Sequence, residues 1–148
     1  MAPTLAPRHR VAMTNEPLRT RGPVTVVLVD DSEEYLEQAC RLVTALPGLQ
    51  LVGWGVSGHE VLALLDHFPA DLVLLDLRMP GMGGLEATTH LKLRAPETKV
   101  VVVTLHDEPE YRRAAERAGA DGFLPKSELV DGLAPLVDRL FPQAEGDS

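Results

Sequence analysis

The sequence predicts an α/β fold in which a parallel sheet is wound on both sides by helices, a three-layer sandwich. Three observations carry that prediction. Four short apolar runs, VTVVLV (24–29), LQLVGWG (49–55), LVLLD (72–76) and KVVVVT (99–104), alternate with stretches whose apolar residues recur every three or four positions. Three of these runs are aliphatic almost throughout, as strands covered on both faces are. Glycines and prolines mark the joints between the two kinds of segment. Repeated strand–helix–strand units of this kind connect with a right-handed crossover.

Each element has its own signal. After the first strand, Leu36, Ala39, Cys40, Val43 and Leu46 follow at helical spacing, and Pro47-Gly48 stops the helix. The second strand leads to Ser57 and Glu60, a capping box before Val61, Leu64, Leu65 and Phe68. Pro80-Gly81 and Gly83-Gly84 make a loop after the third strand, and a weaker helix spans about 85–94. Asp107 and Pro109 open a fourth helix with Ala114, Ala115 and Ala118 inward, and Gly119 ends it. DGFLP (121–125) is a short fifth strand. Leu129, Leu133, Leu136, Val137 and Leu140 line the last helix.

Composition narrows the function classes. The 148 residues are 45% hydrophobic and 24% charged, enough to bury a core without disulfides or a structural metal. The single cysteine, Cys40, excludes a disulfide framework and a multi-cysteine zinc site. No apolar run is long enough to cross a membrane. A net charge of −8 argues against direct nucleic-acid binding by this chain. Residues 1–23 hold four arginines against Glu16, a net +3, so residues 24–148 carry −8 − 3 = −11. The first 23 residues, basic and proline-rich, are expected to be a disordered extension, residues 24–141 one domain, and residues 142–148 a polar tail or a truncated linker.

In open parallel sheets, ligands bind beyond the carboxyl ends of the strands. The residues there are Asp30 and Asp31, Asp76, Thr104 and Lys126. Singly, each has an ordinary explanation: Asp31 with Glu34 could cap a helix, Asp76 could sit in a loop, and Lys126 could be a surface residue. Together they put three carboxylates, a hydroxyl and an ammonium on one edge of one sheet. Clustered carboxylates repel unless a cation sits among them, and Mg²⁺ suits a site of few oxygen ligands. A carboxylate oxygen of Asp76 could then attack phosphorus. Lys126 and the metal would neutralise the phosphoryl oxygens, and Thr104 would donate to one of them. That is aspartyl-phosphate chemistry.

LVDDS, LLDLRMPGMGG, VVVTLHD and GADGFLPK, in this order, resemble the receiver domains of two-component response regulators over about residues 24–141. The resemblance implies a flavodoxin-like (βα)5 fold with parallel strand order 2-1-3-4-5. It implies that Asp76 is the phosphoacceptor. Asp31, Asp76 and the backbone carbonyl of Arg78 would be Mg²⁺ ligands, and Asp30 would act through metal-bound water. Lys126 would pair with the phosphoryl group and Thr104 would move toward it. Phe123 would be the switch aromatic. Such a domain is a signalling phosphoacceptor with slow self-dephosphorylation, served by a sensor histidine kinase in the cytoplasm. It could pair with a second copy through helix 4, strand 5 and helix 5. Leu105 and Ser127 stand where many receivers have a small residue and a proline. With TLHDEPEY they resemble receivers that precede a LuxR-type helix-turn-helix domain. The chain is therefore expected to be either a stand-alone receiver or a fragment of a DNA-binding regulator.

Rival readings fit less well. Gly53, Gly55 and Gly58 spell a dinucleotide fingerprint, but after the second strand, and that reading leaves Asp30, Asp31 and Lys126 unused. A Mg²⁺-dependent aspartyl phosphatase would want its nucleophile on strand 1 in a D-x-D pattern, where this chain has Asp30-Asp31-Ser32. A receiver fold used only for docking, without phosphorylation, leaves the five polar residues without a purpose. The five histidines show no metal-ligand spacing. Arg78 and His106 lie two residues after Asp76 and Thr104, so these two, with Leu105, are expected to tune access of water to the acyl phosphate.

Overall fold

The computed structural model describes residues 22–142, in which strand and helix alternate. The elements are β1 (Val24–Val29), α1 (Glu33–Ala45), β2 (Leu49–Gly55), α2 (Gly58–His67), β3 (Leu72–Leu75), α3 (Gly84–Arg94), β4 (Lys99–Thr104), α4 (Pro109–Arg117), β5 (Gly122–Pro125), a single 3₁₀ turn (Lys126–Glu128) and α5 (Leu129–Leu140). The strands form one sheet in the order β2-β1-β3-β4-β5, and every pairing is parallel. This is the predicted doubly wound, flavodoxin-like architecture. Residues 1–21 and 143–148, on which most of the expected extension and tail fall, lie outside the described part.

Strand side chains point alternately to opposite faces, and here both faces are apolar. Val26, Leu28, Leu72, Leu74, Val101 and Val103 pack with Leu36, Val43, Leu133 and Leu136 of α1 and α5. Val27, Val29, Val73, Leu75 and Val100 pack instead with Val61, Ala87 and Leu91 of α2 and α3. Each valine or leucine among them, once fully buried, contributes roughly 1.5–3 kcal/mol. That is why the runs are aliphatic without interruption.

The helix ends show where local signals hold and where they slip. Ser57 accepts a hydrogen bond from the Glu60 N–H at 3.2 Å, and Glu60 reaches back to the Val56 N–H at 2.9 Å. α1 is capped by Ser32, which accepts from the Tyr35 N–H, so Asp31 with Glu34 is not its capping box. Glu108, without a side-chain cap bond, occupies the N-cap of α4, with Pro109 behind it and Asp107 outside. On α4 only Ala115 is buried, while Ala114 and Ala118 stay half-exposed, because the helix lies over the edge of the sheet. On α2 the buried residues are Val61 and Leu62 (with Gly58), and Leu64 and Leu65 are half-buried.

The loop after β3 is pinned at its far end by Gly84. Its N–H donates to the Leu77 carbonyl at 2.8 Å. A Cβ at Gly84 would overlap the Asp76 carbonyl oxygen and lie 2.9 Å from the Leu77 Cα. The preceding Gly83 has ordinary extended backbone, and a Cβ there would meet only the Leu77 carbonyl, at 3.4 Å. Gly84→Ala should therefore cost on the order of 3 kcal/mol or more, because backbone, not a side chain, must yield. Gly83→Ala, at the N-cap of α3, should cost only about 1 kcal/mol. Urea denaturation of the two variants checks the contrast, and equal losses would contradict this account of the turn.

Candidate functional site

The site is built from strand ends. The alternation that turns Leu28 and Leu74 toward α1 and α5 reaches Asp30 and Asp76 two residues later. Their backbones stay on the sheet ladder past the ends of the strands. The Asp30 N–H donates to the Gly55 carbonyl at 3.1 Å, and the Asp76 N–H donates to the Val29 carbonyl at 3.0 Å. Neither carboxylate can swing away with its main chain. Asp30 is 3% exposed and Asp76 8%, whereas Asp31 is exposed. One carboxylate oxygen from each of the three lies within 4.8 Å of the other two.

Lys126 supplies the opposing charge. It follows Pro125, which pairs with Thr104 across β4 and β5. Its ammonium lies 2.7 Å from Asp30 Oδ2 and 3.8 Å from Asp76 Oδ1, and also 4.1 Å from the centroid of the Tyr35 ring. Asp30 Oδ1 accepts from the Ser32 N–H at 2.9 Å, which joins the acid pair to the cap of α1. Asp30, Tyr35 and Asp76 line a small cavity floored by Leu28, Leu36 and Leu74.

Burial pushes the Asp76 carboxyl up from 3.8 to about 6, with Asp30 and then Asp31 adding to the rise. Lys126 and a backbone hydrogen bond from Leu77 oppose it. Burial, then Asp30 and Asp76, likewise push the Tyr35 phenol well above its ordinary range, so it remains a neutral hydroxyl. Three carboxylates facing one ammonium leave an excess of two negative charges. The cluster offers oxygen ligands alone, without nitrogen or sulfur, and that donor set and charge deficit fit a hard divalent cation such as Mg²⁺.

The remaining predicted residues sit on β4, β5 and the loops that follow β3 and β4. Thr104 is fully buried, and its Oγ1 accepts from the His106 N–H at 3.2 Å, so its own hydrogen stays free to donate. Arg78 donates from Nη2 to the Tyr111 hydroxyl at 2.8 Å, and the His106 ring lies 5.4 Å from the Tyr111 ring. Arg78 and His106 thus meet at one tyrosine of α4. Phe123 is half-buried against Leu77, Val102 and Ala115, with the Arg112 guanidinium 4.6 Å over its ring. Leu105 is 77% exposed. Two glycines of the apparent dinucleotide fingerprint, Gly55 and Gly58, serve packing. A Cβ at Gly58 would lie 2.9 Å from Met82, and one at Gly55 would lie 3.2 Å from the Glu60 Cβ. The sequence reading missed Tyr35 and the specific need for glycine at 84. A Gly-Gly pair after the third strand signals a turn, but not which of the two must lack a Cβ.

The raised Asp76 pKa predicts a pH-dependent stability of the metal-free protein. Below about pH 4 the carboxyl is protonated both folded and unfolded. Between 3.8 and about 6 the folded state keeps a proton that the unfolded chain has released, so stability falls as pH rises. Above that window the full cost is present, at most roughly 3 kcal/mol at 1.36 kcal/mol per unit. Asp76→Asn should therefore be more stable than wild type at pH 7.5, with the gap closing toward pH 4. Denaturant titrations of both proteins in EDTA check this; a gap unchanged with pH would contradict it.

Comparison with known proteins is consistent with this geometry. A model of the response regulator receiver domain matches residues 26–137. The response regulator GacA of Pseudomonas aeruginosa is 35% identical over 118 residues, covering 80% of this chain and 55% of GacA. The nitrate/nitrite response regulator protein NarL of Escherichia coli is 34% identical over 122 residues, covering 82% of this chain and 56% of NarL. The chain thus spans little more than half the length of these curated relatives. Among solved structures, the signal receiver domain of the response regulator NarL from Mycobacterium tuberculosis aligns with a TM-score of 0.71 at 31% identity, covering 77% of this chain and 95% of that one. A LuxR-family two-component response regulator from Aurantimonas aligns with a TM-score of 0.77 at 28% identity, covering 81% of this chain and 86% of that one. This is the kind of regulator whose receivers the TLHDEPEY segment resembles. On sequence and fold together, the chain belongs to the family of response regulator receiver domains.

Proposed function

We propose that this receiver accepts a phosphoryl group on Asp76, from the phosphohistidine of a sensor histidine kinase or from a small acyl phosphate. The observation that carries the reading is the meeting of three carboxylates and the Lys126 ammonium at one sheet edge. A carboxylate oxygen of Asp76 attacks phosphorus, and the bond from phosphorus to the imidazole nitrogen, or to the donor's acyl oxygen, breaks. The leaving group keeps that electron pair, and an aspartyl phosphate forms. Later attack by water returns phosphate and the free carboxylate. Lys126 balances charge on the phosphoryl oxygens, and the Thr104 hydroxyl donates to one of them. Asp30, Asp31 and Asp76 would hold Mg²⁺ together with the Arg78 backbone carbonyl. Bound there, the ion supplies charge neutralisation and orientation of the phosphoryl oxygens.

The readout we infer is a change on the face made by α4, β5 and α5, through which a second copy or another partner would bind. Thr104 reaches the phosphoryl group only if its loop moves, and that loop touches Tyr111 through His106. Tyr111 and Phe123 pack in one cluster, so a shift of the loop disturbs the ring of Phe123. Arg78, Leu105 and His106 then set how easily water enters. DNA binding belongs to this reading only through an output domain of the kind LuxR-family regulators have. A cytoplasmic setting fits, and no described helix is long and apolar enough to cross a membrane.

Two measurements test this. Incubation with acetyl phosphate and Mg²⁺ should add the mass of one phosphoryl group to wild type and none to Asp76→Asn; equal labelling of both would refute the assignment. Mg²⁺ at 100 times its Kd should stabilise wild type by about 2.7 kcal/mol through ligand linkage. Asp31→Ala should lose most of that gain in thermal melts. A gain that survives the substitution would mean that the ion binds elsewhere.

A further inference from the structure

Tyr35, on the first turns of α1, has no role in the reading above, yet it touches the site's cation. The Lys126 ammonium lies 4.1 Å from its ring centroid. The same ammonium is 2.7 Å from Asp30 and 3.8 Å from Asp76. The Lys126 side chain is only 10% exposed, so water screens this contact little. A desolvated cation over an aromatic face is the favourable case of that interaction. The Tyr35 hydroxyl is buried without a hydrogen-bond partner. A buried hydroxyl with no partner is a cost, so what this position uses is the ring. Lysine carries a flexible four-carbon stem, and the Asp30 ion pair alone fixes one contact of its ammonium. The ring supplies a further contact, from α1.

We propose that Tyr35 is a positioning residue whose ring holds the Lys126 ammonium beside Asp30 and Asp76 before a phosphodonor arrives. The proposal rests on Asp76 being the phosphoacceptor. It differs from a purely structural role for Tyr35, because the ring must act on Lys126 and any ring of the same shape will serve.

The test uses the full chain with Tyr35→Phe, Tyr35→Leu and Tyr35→Met, the last an unbranched filler in case leucine disturbs the fold. In metal-free protein, the Lys126 ε-methylene protons should be shifted upfield by the ring in wild type and in Tyr35→Phe. They should return to ordinary lysine positions in the leucine and methionine variants. Labelling by sub-saturating acetyl phosphate with Mg²⁺ should fall about tenfold in Tyr35→Leu and Tyr35→Met, the loss a desolvated cation–π contact supports, and stay within about twofold in Tyr35→Phe. Tyr35→Phe should also melt no lower than wild type, since it removes an unpartnered hydroxyl. Unshifted Lys126 protons in wild type would overturn the proposal whatever the variants do. So would a Tyr35→Phe labelling rate as low as that of Tyr35→Leu, with the phosphoacceptor reading left standing. No labelling of wild type at all would overturn the phosphoacceptor reading itself, and with it the catalytic purpose of the contact.

Discussion

The crowding of Asp30 and Asp76 at the carboxyl edge of the sheet is the constraint around which the rest is arranged. Two buried carboxylates, with a third close by, repel one another across a poorly screened gap, and a single ammonium cannot cancel them. Such an arrangement persists only if the scaffold makes relaxation more expensive than repulsion. Here the scaffold is a sheet whose central strands have no exposed face. Val26, Val27, Leu72, Val73, Val100, Val101 and Val102 are all fully buried. To separate the acids, β1 and β3 would have to part, breaking ladder bonds and opening both apolar layers together. The folding energy of the core is what holds the charges in place.

The same logic explains the turn after β3. A loop that must return from the sheet edge to the start of α3 passes directly over the Asp76 carbonyl, and Gly84 lets backbone meet backbone there. This fixes the path of residues 77–83 and so the place of the Arg78 carbonyl. The glycine at 84 therefore serves the site while making no chemical contribution to it.

The fold was legible in the sequence because it is written in runs. Aliphatic stretches, turn residues and capping pairs are local signals, and nearly every element stands where they put it. The acids and Lys126 were legible because each ends a strand, and strand ends share an edge. What the sequence did not show depends on side chains that meet from distant elements. The contact of Tyr35 with Lys126 joins α1 to the turn after β5. That of Arg78 with Tyr111 joins the loop after β3 to α4. Periodicity places residues on a face but does not say which neighbour they find there. The inward set on α4 was overestimated for a related reason. Three alanines at helical spacing predict a buried stripe, but a helix over a sheet edge has core beneath only part of its width.

A switch needs an element with two arrangements and a ligand that prefers one of them. Tyr111 joins the elements that would have to rearrange. Its hydroxyl holds Arg78 from the loop after β3, its ring holds His106 from the loop after β4, and its own helix carries Arg112, which covers Phe123. None of these contacts is buried deeply enough to be costly to exchange. The core beneath them is, since Val102 and Ala115 have no exposed surface. Motion is therefore cheap along the rim formed by Arg78, His106, Tyr111, Arg112 and Phe123, and expensive in the sheet that carries the acids. A phosphoryl group on Asp76 would draw on the Thr104 hydroxyl, which accepts a hydrogen bond from the His106 N–H of that rim. On the proposed reading, charge would enter where the scaffold is rigid, and its effect would leave through the surface that is cheaper to rearrange.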